Sequence, residues 1–348
     1  MKKKQILIYG LITVLLVALF YLQFRAWRKF DWDVFLSQTR QVGLWHVLAG
    51  IAFTYFAYVL RAVRWQIFLR PVKWTTTASL LAPTIIGFTG LSLLGRPGEM
   101  IRPYLIARKE NLSFPSQLAV WAIERIFDIG GFACLLVSAI LFASGPRQFG
   151  EYYPKFREGG LILVVLVIVL AAGAALVRWQ GEIVARWVER RSGGHASGIA
   201  HKLAARVREF RNGLNTIHGA SELVQLIAVS IAMWFLIALA YQQVTQAYGN
   251  PLLRIPLSQI FVLMASSMIG SMVQLPGVGG GSQLATIATL QHVFRIPPEL
   301  AASCGILLWL VTFMSVIPLG LILAHRERLS IRKLSEESHE DEREAVRG

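Results

Sequence analysis

Long blocks of apolar residues divide this chain, and the charged residues collect between them. Five blocks contain no Asp, Glu, Lys or Arg: Gln5–Phe24, Leu44–Leu60, Ala78–Gly95, Gly159–Val177 and Leu223–Tyr248. Two more blocks have Asp128 as their single charged residue: Ile126–Ser144 and Ala301–Ala324. Each block approaches or exceeds the roughly 18–20 residues that cross the hydrocarbon core of a bilayer as a helix. The pattern therefore predicts an all-α polytopic membrane protein.

Two apolar segments are interrupted by glycine and proline, which predicts broken helices rather than simple spans. Residues 78–94 stop at the run Gly-Arg-Pro-Gly-Glu of 95–99, and residues 255–293 are broken around 275–282. A complete crossing by residues 78–94 would place the basic residues that follow on the outer side, against the positive-inside rule. We therefore predict a re-entrant hairpin A, which enters from the cytoplasm and returns as Met100–Arg108, and a re-entrant hairpin B, which enters from the opposite face.

These segments together predict about six transmembrane helices plus the two hairpins. The loop that holds Arg61, Arg64, Arg70 and Lys73, and the very basic loop 178–222, are both expected in the cytoplasm. The N- and C-termini are then expected in the cytoplasm. The protein is expected in the inner membrane. Residues 1–325 are expected to form a single membrane domain, and the charged segment 326–348 a disordered tail.

The spacing of the segments also predicts an internal repeat. Residues of about 44–144 and 223–324 both contain a span, a broken hairpin and a second span, in the same order. The first unit starts from outside and the second from inside, so the pair is predicted to form an inverted repeat. Many secondary transporters build a binding site near the bilayer midplane from such a pair.

Composition and charge narrow the classes of function. A hydrophobic fraction of 55% with 16% charged residues is unlike that of a soluble protein. The net charge of +15 lies mainly in loops next to spans, which predicts contact with anionic lipid headgroups rather than with nucleic acid. Cys134 and Cys304 fall within apolar spans, and the histidines are scattered. The sequence thus predicts no disulfide, no metal site and no cofactor.

Hairpin A carries the first candidate site. Arg96 precedes Pro97, a residue favoured at the start of a helix, so a half-helix is expected to begin there with free backbone N–H groups. Such a start attracts anions, and Arg96 and Arg102 add charges that suit a phosphate. Gly98 and Glu99 complete this predicted lipid-phosphate site. The alternative is a shallow hairpin whose arginines touch headgroups without specificity.

A second constellation, Glu124, Arg125 and Asp128, is predicted to balance charge. The two acids lie one helical turn apart. If their helix begins near Ser113, Glu124 lies about 16 Å along its axis, near the middle of the membrane. If the span begins at Ile126, Glu124 and Arg125 form an interfacial pair instead. Packing of hairpin A against this helix would let Glu124 neutralise Arg96 or Arg102.

Hairpin B is predicted to complete a cavity without using charge. Its glycines and proline break the helix and allow close approach of a ligand to the backbone, and Ser282 is expected to cap the following half-helix. The predicted cavity residues are Pro276, Gly277, Gly279, Gly280 and Ser282. The alternative is a kink that is packed against neighbouring helices.

Three short runs resemble the transmembrane region of the lysylphosphatidylglycerol synthase/flippase family: residues 95–104, residues 124–128 and residues 275–280. The resemblance covers approximately residues 5–325. It implies the flippase part, which moves an anionic lipid across the membrane, without the separate cytoplasmic domain that transfers the aminoacyl group. Gln283 departs from the family pattern, which has an acidic residue near this position.

The sequence thus favours an inner-membrane lipid translocator or lipid-binding transporter for an anionic phospholipid or a polyprenyl-phosphate-linked lipid. A membrane enzyme that uses Glu124 or Asp128 as a base is an alternative. A non-catalytic partner of a lipid-modifying enzyme is a third. The expected partners are anionic membrane lipids, with a lipid-modifying enzyme as a further candidate.

Overall fold

The computed structural model describes residues 30–142, 153–191, 219–272, 274–275 and 279–327. In chain order the helices are α1 (Trp32–Arg40), α2 (Leu44–Leu69), α3 (Thr77–Leu94), α4 (Ile101–Glu110), α5 (Phe114–Phe142), α6 (Tyr153–Arg191), α7 (Ala220–Gln246), α8 (Leu257–Gly270), α9 (Gly281–His292), α10 (Pro298–Trp309) and α11 (Val316–Arg326). A π-helical turn, Leu310–Met314, joins α10 and α11. The predicted first helix, 5–24, and nearly all of the tail lie outside the described residues.

The described part of the chain confirms an all-α, multi-pass membrane protein. Five helical segments in it are long and apolar enough to cross a bilayer: Leu44–Leu69, Thr77–Leu94, Tyr153–Gly173, Ala220–Gln246 and Pro298–Arg326. Helix α5 is also 29 residues long, but it carries three charged residues near its middle. The number of crossings, about six, and the re-entrant course of the hairpins stay predictions.

Helices α3 and α4 form the helix–turn–helix of hairpin A. Thr76 caps α3, and Gly95 ends it with a φ of 72°, a backbone conformation that favours glycine. A 3₁₀ turn over Arg96–Met100 then leads into α4. A Cβ on Gly98 would collide with the carbonyl of Gly90. The small residues therefore allow the turn and α3 to approach at backbone distance.

Helices α8 and α9 form hairpin B, joined by a short antiparallel ladder between β1 (Gln274–Leu275) and β2 (Gly279–Gly280). Gly280 has a φ of 117° and precedes α9 as its cap, without a side-chain hydrogen bond. The prediction that Ser282 caps this helix is wrong, because α9 begins one residue before it and Ser282 is buried within the first turn. Pro276 and Gly277 lie outside the described residues.

The first helices of the two predicted repeat units pack antiparallel along their lengths. At one end the amide of Gly43 donates to the carbonyl of Ala247 at 2.7 Å, and near the other Arg64 donates to Ser230 at 3.0 Å. In each unit a helical hairpin and a further long helix follow, in the same order. Equal element order with opposite direction is the arrangement that the predicted inverted repeat requires.

Two boundaries differ from the prediction. Helix α2 continues to Leu69, so Arg61 and Arg64 lie within a buried helix and not in the predicted cytoplasmic loop. No glycine or proline occurs between Leu60 and Pro71, and Trp65 and Phe68 bury their side chains in the same stretch. Helix α6 runs from Tyr153 to Arg191, beyond the predicted crossing at 160–177 and into the predicted loop 178–222.

Candidate functional site

Three helices of the first unit bring six charged side chains together. Arg61 and Arg64 lie about one turn apart on α2, Arg102 lies on α4 of hairpin A, and Glu124, Arg125 and Asp128 lie on α5. Their ion pairs form one connected network. We call these six residues the arginine–carboxylate cluster.

Glu124 is the buried centre of the cluster. Its Oε1 accepts from Nη2 of Arg64 at 2.7 Å and from Nη1 of Arg102 at 3.0 Å, while Nη2 of Arg102 donates to its Oε2. Arg102 thus binds both oxygens of one carboxylate, the geometry for which a guanidinium is best suited. Of the predicted pairs for Glu124, the structure contains the one with Arg102, while Arg96 pairs elsewhere.

The start of α5 decides between the two sequence interpretations of Glu124. The helix begins at Phe114 rather than at Ile126. Ten residues of helix separate Phe114 from Glu124, about 15 Å along the axis at 1.5 Å per residue. Glu124 therefore lies well inside the helix and is fully buried among neighbouring helices.

Asp128 receives three arginines. Arg64 donates to its Oδ1 at 2.7 Å, and Oδ2 is 3.0 Å from Nη2 of Arg125 and 3.5 Å from Nη1 of Arg61. Arg61 and Arg125 therefore meet at a single carboxylate oxygen. The contact of Arg61 is the longest of the three and its geometry is marginal for a hydrogen bond.

The cluster contains more positive than negative charge. Four guanidinium groups share two carboxylates in its ion pairs, so the cluster has an excess of two positive charges. The side chain of Arg64 is fully buried, whereas that of Arg125 is 34% exposed. Unbalanced buried charge is costly, and in membrane helices it usually marks a functional site.

Aromatic rings surround the guanidinium groups. The ring of Phe88 lies 4.8 Å from the guanidinium carbon of Arg61 and 5.2 Å from that of Arg102. Trp65 lies 4.5 Å from Arg102, and further tryptophans face Arg61 and Arg125. Arginine is weakly hydrated and stacks on such faces, so the rings help to hold the charges in an apolar interior.

Three buried donors in and beside the cluster have no acceptor among the described residues. They are the Nε atoms of Arg64 and Arg125 and the indole Nε1 of Trp234. The Trp234 ring lies 5.9 Å from the Arg61 guanidinium. Buried polar groups are nearly always hydrogen-bonded, so donors of this kind call for an acceptor that the described residues do not provide.

The tip of hairpin A lies next to the tip of hairpin B. Arg96 donates to Glu99 at 2.8 Å and to the carbonyl of Ser271 at 3.1 Å, and its side chain is 52% exposed. The prediction of free backbone N–H groups at the turn is wrong for Gly98, because its amide donates to the carbonyl of Gly95. A 3₁₀ turn satisfies this amide internally.

The structure thus separates the predicted site residues into two groups. Arg102, Glu124, Arg125 and Asp128 meet in the cluster, whereas Arg96, Gly98 and Glu99 form the turn of hairpin A. Sequence analysis missed Arg61 and Arg64. The apolar residues Ile67–Leu69 that follow them were the available signal, because they indicate that the helix continues past the arginines.

Metal ligands and a cavity are other features that mark functional sites. No group of three His, Cys, Asp or Glu side chains that would hold a metal ion occurs in the described ranges. A cavity of about 250 Å³ is lined by Arg254, Pro256, Gln259 and Phe294 among others, at the base of hairpin B. None of its lining residues belongs to the cluster, so the cavity and the buried charges are separate features.

Comparison with known proteins connects the chain to membrane proteins. The family model described as "Lysylphosphatidylglycerol synthase TM region" matches residues 6–320. A UPF0104 membrane protein of Methanothermobacter thermautotrophicus is 24% identical over 276 residues, 76% of this chain and 78% of the relative. Another, from Methanocaldococcus jannaschii, is 25% identical over 240 residues, 68% of this chain and 92% of the relative.

A third relative is named Glycosyltransferase AglD, from Haloferax volcanii. It is 23% identical over 287 residues, which is 75% of this chain but 45% of that protein. The chain therefore spans about half the length of this relative. No solved structure matches the chain.

Proposed function

Since the chain belongs to the family of the lysylphosphatidylglycerol synthase transmembrane region, we propose that it translocates a lipid with an anionic headgroup between leaflets. The excess positive charge of the buried arginine–carboxylate cluster is the observation that carries this proposal. A buried positive excess is stabilised by an anion. Lipid phosphates are the anions that a membrane supplies at its own surface.

The degree of exposure suggests how a headgroup reaches the cluster. Arg96 is half exposed at the hairpin tip, and Arg125 is one-third exposed within the cluster. In our proposal Arg96, which Glu99 orients, receives the headgroup first, and Arg125 holds it next. Arg102 remains bound to both oxygens of Glu124, so its proposed role is to keep hairpin A packed against α5.

The two hairpins provide the moving parts of the proposed cycle. Their tips are joined by the bond from Arg96 to the carbonyl of Ser271. Gly279, Gly280 and Ser282 belong to the facing hairpin, where backbone without side chains allows close approach of a headgroup. Breaking the tip contact would let one unit rock against the other, as in transporters built from inverted repeats.

The proposed location is the inner membrane with both termini in the cytoplasm, which follows from the distribution of Lys and Arg in the sequence. The proposed partners are anionic lipids. A lipid-modifying enzyme that makes or consumes the translocated lipid is a further proposed partner.

Leaflet exchange in liposomes tests the proposal. The purified protein is reconstituted with fluorescent phosphatidylglycerol or a fluorescent polyprenyl phosphate, and exchange is followed by quenching of the outer leaflet. Wild type should exceed protein-free liposomes, and Arg125→Gln should lower the rate about tenfold or more, the effect of losing one charge-assisted hydrogen bond. Arg70→Gln removes an exposed arginine outside the cluster and should leave the rate unchanged.

A rate of exchange in the presence of protein that equals the protein-free rate for every anionic lipid would reject a translocator. Equal rates for wild type and Arg125→Gln would reject the cluster as the headgroup site. Both variants should be checked for an unchanged melting temperature, so that a folding defect is not read as a transport defect.

A second candidate function rests on the relative named as a glycosyltransferase. In this alternative the chain modifies a lipid, or accommodates the lipid for an enzyme that modifies it. The same liposomes discriminate between the two, because mass spectrometry of the extracted lipid detects a covalent change. A modified lipid without protein-dependent exchange would favour the enzyme.

A further inference from the structure

Arg61 is the least satisfied charge of the cluster. Among the described residues it makes a 3.5 Å contact with Oδ2 of Asp128 and lies over the ring of Phe88, and its side chain is 8% exposed. Arg64, one turn away, makes three bonds of 2.7–3.0 Å. The two arginines therefore differ in their contacts with described residues: Arg64 makes three short hydrogen bonds, and Arg61 makes one long contact with a carboxylate oxygen.

Arg61 and Arg125 converge on one point. Both approach Oδ2 of Asp128, Arg125 at 3.0 Å and Arg61 at 3.5 Å. A single oxygen atom between two guanidinium groups marks the place where a larger oxyanion with several oxygens would contact both. Arg125 also keeps its buried Nε without an acceptor.

Trp234 adds a neutral donor on a ring that faces Arg61. Its buried Nε1 has no partner among the described residues, although its ring lies 5.9 Å from the Arg61 guanidinium. An indole N–H that is buried usually finds an acceptor. Donors from α2, α5 and α7 therefore lie in or beside the cluster, and those of Arg125 Nε and Trp234 Nε1 have no acceptor among the described residues.

We infer that the cluster selects a lipid whose headgroup is a phosphate monoester, bound as a dianion between Arg61 and Arg125 with the indole N–H of Trp234 as a further donor. This inference rests on the proposed function, because it takes the cluster as the headgroup site.

Charge and oxygen count both separate a monoester from a diester. A phosphate monoester carries nearly two negative charges at neutral pH and presents three strong acceptor oxygens. The cluster has two positive charges in excess of its carboxylates. A phosphodiester carries one charge and two free oxygens, so it leaves one guanidinium unbalanced in a buried site.

Binding of short-chain lipids to the full-length protein in neutral nanodiscs tests the inference. The probes are dioctanoyl phosphatidic acid, dioctanoyl phosphatidylglycerol and inorganic phosphate, each titrated by microscale thermophoresis between pH 5 and pH 8. At pH 8 phosphatidic acid should bind about tenfold more tightly than phosphatidylglycerol, and the difference should vanish below its second ionisation, near about pH 6.

Variants assign the preference to the residues named above. Arg61→Gln should abolish the preference for phosphatidic acid at pH 8 while the binding of phosphatidylglycerol remains. Arg61→Lys keeps the charge but not the forked geometry, and it should retain part of the preference. Arg70→Gln, on an arginine that contacts Gln225 outside the cluster, should behave as wild type.

Equal affinities of the two lipids, or a preference that does not change with pH, would overturn the inference. Inorganic phosphate binding as tightly as phosphatidic acid would overturn the assignment to a lipid. Leaflet exchange of phosphatidylglycerol without a monoester preference would reject this inference and leave the translocator standing. A monoester preference without exchange of any lipid would reject the translocator and leave the monoester site standing.

Discussion

Arg96 at the tip of hairpin A donates to the carbonyl oxygen of Ser271 at the tip of hairpin B, at 3.1 Å. The two residues are 175 positions apart and belong to different predicted repeat units. The same guanidinium also binds Glu99 within its own turn. One exposed side chain thus links the two hairpins while it remains accessible to an incoming headgroup.

Removal of this link should loosen the hairpin tips without unfolding the protein. Arg96→Gln should increase amide hydrogen exchange at Ser271 and Met272, because the carbonyl of Ser271 loses its partner. The free energy of unfolding should fall by less than about 1 kcal/mol, as for other exposed polar contacts. Lys109→Gln removes an exposed ion pair with Glu327 instead and serves as control. Unchanged exchange at the tip of hairpin B in Arg96→Gln would contradict this role.

Loss of the central carboxylate should destabilise the protein strongly. Glu124→Gln leaves the buried guanidinium groups of Arg64 and Arg102 without their common counter-charge. We expect a loss of about 3–5 kcal/mol in the free energy of unfolding, the usual effect of leaving a buried charge unpaired. Thermal or denaturant unfolding in detergent measures it.

A double variant separates charge from packing at this position. Arg102→Met combined with Glu124→Gln removes one unpaired cation together with the carboxylate, so it should be more stable than Glu124→Gln alone. Glu158→Gln, on an exposed position of α6, should change stability by less than about 0.5 kcal/mol. A double variant that is less stable than Glu124→Gln would argue against electrostatic imbalance as the cause.

The turn of hairpin A should not tolerate a side chain at residue 98. A Cβ on Gly98 would meet the backbone of Gly90 and Leu91, which has no flexible end to move away. Gly98→Ala should therefore lower the melting temperature, with a loss of about 1–3 kcal/mol. Gly159→Ala on α6 meets no atom within 4 Å and should be neutral or slightly stabilising because alanine favours helix. Equal melting temperatures for both variants would contradict the packing argument.

Glu110 should make stability at the base of hairpin A depend on pH. Burial opposes its ionisation, but hydrogen bonds from Ser79, Thr75 and Lys73 prevail and lower the pKa of the carboxyl below its ordinary value. A lowered pKa in the folded state stabilises above the unfolded pKa, near about 4.3, and this contribution is lost as pH falls through the folded value.

Melting temperatures of wild type and Glu110→Gln, measured as a function of pH, check the direction of this pH dependence. Wild type should be more stable at pH 7, and the two curves should approach each other as the pH falls through the lowered folded pKa of Glu110. Glu158→Gln again provides a variant without these hydrogen bonds. A constant difference between wild type and Glu110→Gln across this range would reject the assignment.

Much of the helical arrangement followed from the sequence. Apolar runs predict most of the long helices, and the glycines and prolines at 95–98 and around 276–281 predict where the hairpins turn, because φ above zero and close packing require residues without a Cβ. Helix ends were less predictable. Helix α2 extends to Leu69 although two arginines interrupt its apolar run.

The candidate site was only half visible in the sequence. Glu124, Arg125 and Asp128 attracted attention as charges one turn apart, and Arg102 as a charge in a hairpin. Arg61 and Arg64 were predicted as loop residues, because a charge next to an apolar run normally marks the membrane surface. Their carboxylate partners are 60–67 positions away in the chain, and no local pattern encodes such a distance.

The sequence by itself determined that this is a membrane protein, since long continuous apolar runs are stable in few other environments. It also determined where the chain must turn. Only the tertiary structure decided which charges are buried together. Arg102 binds Glu124, whereas Arg96 links the tips of the two hairpins. The physical reason is that the balance of charge in an apolar interior is a property of helices packed in space, not of neighbours along the chain.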